Sequence, residues 1–145
     1  MGSAAYYLKA DFPAGVDLEK VRNDAEKALL ALAKFNDAWQ GCREESGSTP
    51  MQRVEQLKNL FPQVWEDFSL DAIEVKPDDR VLNCFAGELC ITSELHLEVK
   101  GNQLRLSDEV WHFADWTRIE AYFTKLGATN VASVSDEYSD PFEEW

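Results

Sequence analysis

Residues 89–110 alternate in polarity around a single turn, and this constrains the fold more than any other stretch. Leu89, Ile91, Leu95, Leu97 and Val99 alternate with Cys90, Thr92, Glu94, His96, Glu98 and Lys100. A period of two marks a strand with one buried face. Gly101-Asn102 is a two-residue hairpin turn. Leu104, Leu106 and Val110 carry the apolar face back along the return strand. With Lys100 facing Gln103, Val99 pairs with Leu104, Leu97 with Leu106, and Glu98 with Arg105 as an opposite-charge pair.

The flanking segments supply the other elements. Tyr6, Leu8, Ala10 and Phe12 alternate with Tyr7, Lys9 and Asp11, which predicts a strand ended by Pro13-Ala14-Gly15. Asp17 offers an N-cap to a long amphipathic helix through Leu18, Val21, Ala25, Leu29, Leu32, Phe35 and Trp39, with Gly41 as its stop. Cys42 to Ser48 reads as a polar loop. Thr49-Pro50-Met51-Gln52 reads as a capping box for a second helix striped by Val54, Leu57 and Leu60. Pro62 ends that helix and starts a short one through Val64, Trp65 and Phe68. Asp71 to Asp79 reads as an acidic connection. Val81, Leu82, Phe85 and Leu89 fit a short helix or an irregular lead-in equally well. Asp115 is placed to cap a last helix carrying Trp116, Ile119, Tyr122, Phe123 and Leu126, stopped by Gly127. Asn130 to Ser135 predicts a final strand.

The resulting order is β-α-β-β-α-β with helices inserted after the first helix. We expect an α+β fold: a ferredoxin-like split β-α-β antiparallel sheet, with helices on one face. The 145 residues read as a single domain, 1–145, with an acidic aromatic tail over 136–145. The chain is 45% hydrophobic, enough to fill a core. It holds no apolar run near the roughly 18 residues a membrane span needs.

The charge is uneven. The chain has 27 Asp and Glu against 14 Lys and Arg, a net of −13. Residues 1–60 hold nine acids and eight bases, whereas residues 61–145 hold eighteen acids and six bases. Such a balance repels phosphate backbones, so direct nucleic-acid binding is not expected. The tail contains Asp136, Glu137, Tyr138, Asp140, Phe142, Glu143, Glu144 and Trp145. Acids interleaved with large rings suit docking on a basic, partly apolar surface. The plainer alternative is a solvated tail that aids solubility. The three rings weigh against it, because they are costly to leave in water.

Three cysteines, Cys42, Cys84 and Cys90, make no disulfide framework and suit reduced thiols in a cytoplasmic protein. With no basic stretch followed by an apolar one at its start, the sequence is not expected to carry a signal peptide. Gly2 is not expected to carry a lipid, since Tyr6 stands where that motif wants Ser or Thr.

Extended upstream, the hairpin register sets Glu94 opposite Glu109 and His96 opposite Ser107, with Trp111 near Thr92. Facing carboxylates can raise a pKa or hold a cation. A bulge near Asp108 would instead separate the two acids and leave an ordinary exposed face. Zinc is not expected. Cys90 and His96 lie about 20 Å apart along a straight strand, and Cys84 and His112 complete no recognisable ligand set. Asp78-Asp79 and Asp108-Glu109 could hold Mg²⁺, with solvated charge as the default. There is no nucleophile elbow and no phosphate-binding glycine loop. No pattern implies a cofactor.

Three functions follow. The first is a non-catalytic acidic binding module for a basic protein surface, in one version an inhibitor mimicking nucleic-acid charge on a nucleic-acid-binding partner. Its binding residues would be Glu94, Glu109, Trp111 and the tail. The second is a small metal-assisted enzyme using Glu94, His96 and Glu109. The third is a structural subunit pairing through a sheet edge.

Overall fold

Alternate residues of the first strand are apolar and buried: Tyr6, Leu8 and Ala10, with Phe12 just beyond its end. In the computed structural model, which describes residues 3–42, 50–72, 89–111 and 116–136, this strand is β1, Ser3–Asp11. Helix α1, Leu18–Cys42, follows. The Asp17 carboxylate accepts a hydrogen bond from the Lys20 amide at 3.3 Å and so caps its first turn. Its buried stripe of Ala25, Leu29, Leu32 and Phe35 has the spacing of one helix face. The helix continues through Gly41 to Cys42, so the expected stop comes one residue late.

Helix α2, Pro50–Leu60, and helix α3, Pro62–Asp67, form the insertion. Pro62 occupies the first position of α3, where its missing N–H costs no helical bond. Phe35 of α1 meets Phe61 and Trp65 edge-on, with ring centroids 5.8 and 5.5 Å away. A 3-10 turn, Leu70–Ala72, follows. Thr49, residues 73–88, residues 112–115 including Asp115, and the tail beyond Asp136 lie outside the described residues.

Strands β2, His96–Lys100, and β3, Gln103–Trp111, pair in the expected register, with Glu98 opposite Arg105. Gly101 sits at φ 61, and Asn102 is not in the positive region. That is the pattern of a II′ turn, which wants glycine at its first central position.

The upstream strand is shorter than the alternation predicts. Leu89 and Ile91 are buried, at 0% and 3% exposure, but in irregular backbone. The chain turns at Thr92, whose carbonyl accepts from the Leu95 amide at 3.3 Å, and the ladder begins only at His96. Glu94 is therefore not paired with Glu109. Nor is the separating bulge present, because the β1–β3 register runs unbroken from Ser3–Trp111 to Asp11–Gln103.

Helix α4, Thr117–Lys125, takes Trp116 as its N-cap residue, with no side-chain cap bond. Its end is a Schellman motif. The Ala128 amide bonds to the Phe123 carbonyl and the Gly127 amide to the Thr124 carbonyl, with Gly127 at φ 110. Strand β4, Asn130–Asp136, completes an α+β architecture around a four-stranded antiparallel sheet of order β2-β3-β1-β4. On one face, Leu8, Ala10, Leu97, Leu104, Leu106 and Val110 are buried in a core shared with α1 and α4. The opposite face carries Tyr7, Lys9, Arg105 and Glu98.

Candidate binding surface at one end of the sheet

Irregular backbone needs partners for its polar groups, and side chains from three elements supply them between Leu89 and Thr92. Asn36 of α1 donates to the carbonyls of Leu89 and Ile91 at 2.7 and 3.3 Å. The Trp116 indole donates to the Cys90 carbonyl at 2.9 Å. Asp108 of β3 accepts from the Thr92 amide at 2.6 Å and the Thr92 hydroxyl at 2.7 Å. The same hydroxyl accepts from the Glu94 amide at 3.2 Å, which closes the turn.

Asp108 is thus a structural acid. It is 8% exposed and also accepts from the Glu109 amide at 2.9 Å. Burial pushes its carboxyl above the ordinary aspartate value. The bonds from Thr92 and Glu109 pull it back down, and the Glu94 carboxylate adds a smaller upward push. Glu109, one residue on, is exposed on the opposite face of the sheet. Asp108 and Glu109 therefore cannot chelate one ion together. Thr92 sits against Asp108, and the Trp111 backbone pairs with Ser3 at the end of β3.

Of the remaining expected site residues, the described ones lie toward this end of the sheet. The register places Glu109 and Asp136 on either side of Ala5, in one row across β3, β1 and β4. Two strand spacings separate them, about 10 Å. Glu94, exposed on the 92–95 turn, lies near enough to Asp108 to influence its titration. Glu137, Tyr138, Asp140, Phe142, Glu143, Glu144 and Trp145 continue from Asp136 and lie outside the described residues. Sequence reasoning missed the structural role of Asp108. The available signal was an acid on the apolar side of a period-2 strand.

His96 faces Ser107 as expected. Cys90 and His96 do not share a straight strand, so the separation expected from strand rise does not apply. Among the described residues, no group of three His, Cys, Asp or Glu side chains is placed to hold a metal ion, and no helix is long and apolar enough to cross a membrane.

Sixteen of the 27 acids and eleven of the 14 bases belong to described residues. The described fold is thus only mildly acidic, and most of the surplus falls in the other segments. Comparison of the chain with protein families, with curated proteins and with solved structures finds no match.

Proposed function

We propose that the chain is a non-catalytic acidic binding module, built on a ferredoxin-like split β-α-β frame, that engages a basic protein surface. The strand order β2-β3-β1-β4 supports the frame, since a split β-α-β unit leaves a gap that another strand fills. One observation carries the binding reading. Asp136, where the acidic aromatic segment begins, stands in the same row as Glu109 and at the end of the sheet that holds the Glu94 turn. Carboxylates contributed by a sheet end and by the segment leading away from it add to one negative field. The aromatic residues of the tail supply anchors that slow dissociation. A basic channel that otherwise holds nucleic acid has matching chemistry, which makes the module an inhibitor by charge mimicry. A cytoplasmic setting fits its three cysteines.

The test is capture of partners on the immobilised full chain, followed by affinity measurement from about 50 to 300 mM salt. The reading expects a basic partner, displaceable by duplex DNA. Its affinity should fall steeply with salt and drop on deletion of residues 137–145 or on the Glu94→Gln, Glu109→Gln double change. A partner bound equally well at both salts, or unaffected by the deletion, would remove the basis for this function.

A further inference from the structure

We propose that the groove between α1, α3 and α4 binds an alkylammonium group, its charge taken by Asp24 and Asp67 and one of its protons by the Tyr122 hydroxyl oxygen. The groove has a volume of about 460 Å³, within the range of small-ligand pockets. It shares no residue with the acidic sheet end and does not depend on that reading.

Three helices build it at helical spacing. On α1, Asp24, Ala28 and Ala31 form one stripe, and the two alanines leave room where longer side chains would close the groove. On α3, Gln63 donates to Asp67 Oδ1 at 2.9 Å and fixes that carboxylate. On α4, Tyr122 and Leu126 complete the lining.

Tyr122 is the informative residue. It is 5% exposed, and its ring is held by Phe68 and Phe123, with centroids 4.8 and 5.7 Å away. Among the described residues, none forms a hydrogen bond with its hydroxyl, although it lines an open groove. The ring is buried while the hydroxyl is open to solvent, so its oxygen is free to meet a ligand from the groove. Burial, then the Asp67 and Asp24 carboxylates, push this phenol's pKa upward, so the local field is negative and disfavours an anion. Two lysines also line the groove. Lys125 donates to the Glu66 carbonyl at 2.9 Å, and Lys27 is exposed and forms no ion pair with Asp24 among the described residues. Both carboxylates thus remain available to an incoming cation. An ammonium has three donors for the two acids and the phenol oxygen, and its aliphatic stem suits Ala28, Ala31 and Leu126.

The amine can be a free aliphatic amine or the side chain of a partner's lysine, so the test uses both sources. n-Butylammonium and Nα-acetyl-lysine amide are titrated separately into the full chain and followed by assigned amide NMR spectra, with 1-butanol as the neutral control. The expected result is saturable shifts confined to 24–31, 63–67 and 122–126, absent with 1-butanol and weakened about tenfold by Asp24→Asn with Asp67→Asn. Tyr122→Phe keeps the ring packing and is expected to weaken binding several-fold. Tighter binding of the lysine amide assigns the site to a partner's lysine, and tighter binding of butylammonium assigns it to a free amine. Shifts that never saturate, or that survive both aspartate changes in a variant whose spectrum remains folded, overturn the proposal.

Discussion

The two faces of β3 carry neighbouring residues under opposite physical regimes. On the helix side, Leu104, Leu106 and Val110 are buried, and Asp108 sits among them with its carboxylate fully used. On the open side, Gln103, Arg105 and Glu109 meet solvent, and Arg105 donates to Gln103 at 2.7 Å. Asp108 and Glu109 are adjacent acids, yet one secures a turn and the other contributes charge to a surface. Residue type alone does not separate these roles. The face of the pleat does.

The largest expected effect that tests this contrast is a core truncation. Leu106→Ala removes a side chain with 0% exposure and is expected to cost about 3 kcal/mol. Arg105→Ala on the other face should cost about 1 kcal/mol or less. Urea denaturation of both variants measures the difference, and equal losses would mean the open face is itself packed.

Next comes the pair of acids. Asp108→Ala strands the Thr92 amide and hydroxyl and is expected to cost about 2 kcal/mol, whereas Glu109→Ala should cost about 0.5 kcal/mol. Hydrogen exchange at residues 92–95 should accelerate in the first variant only.

A pH series sharpens the same comparison. The folded-state value of the Asp108 carboxyl is raised, with burial as the leading cause. Its contribution to stability is therefore fully present below the ordinary aspartate value and is lost as pH rises through the raised one. The stability of the wild type relative to Asp108→Asn should be greatest near about pH 3 and decline toward pH 7. A relative stability that grows with pH would mean the hydrogen bonds outweigh burial.

The smallest effect concerns the irregular segment upstream. Asn36→Ala removes the donor to the Leu89 and Ile91 carbonyls and is expected to cost about 1 kcal/mol. Its hydrogen-exchange effects should stay local to residues 89–92.

The hairpin was legible because a period-2 pattern and a glycine turn specify register from short-range information. The match of Glu98 with Arg105 follows from them. The strand end at His96 was not legible. Leu89 and Ile91 continue the alternation because both are buried, and burial alone does not distinguish a ladder from a turn tied down by Asn36, Trp116 and Asp108. Those partners lie 16 to 55 residues away in the chain. For the same reason, the expected pairing of Glu94 with Glu109 does not form. The groove at Tyr122 left no pattern to read, since its lining residues come from three helices.

By itself the sequence determined the element types, the hairpin register and the excess of acids in the second half, all properties of near neighbours and composition. Only the tertiary structure decided that Asp108 is enclosed, that Asp136 comes level with Glu109 across Ala5, and that Tyr122 lines a groove with no hydrogen bond to its hydroxyl among the described residues. Strand order and helix packing bring together groups that the chain keeps far apart, and an interaction energy depends on distance in space, not along the backbone.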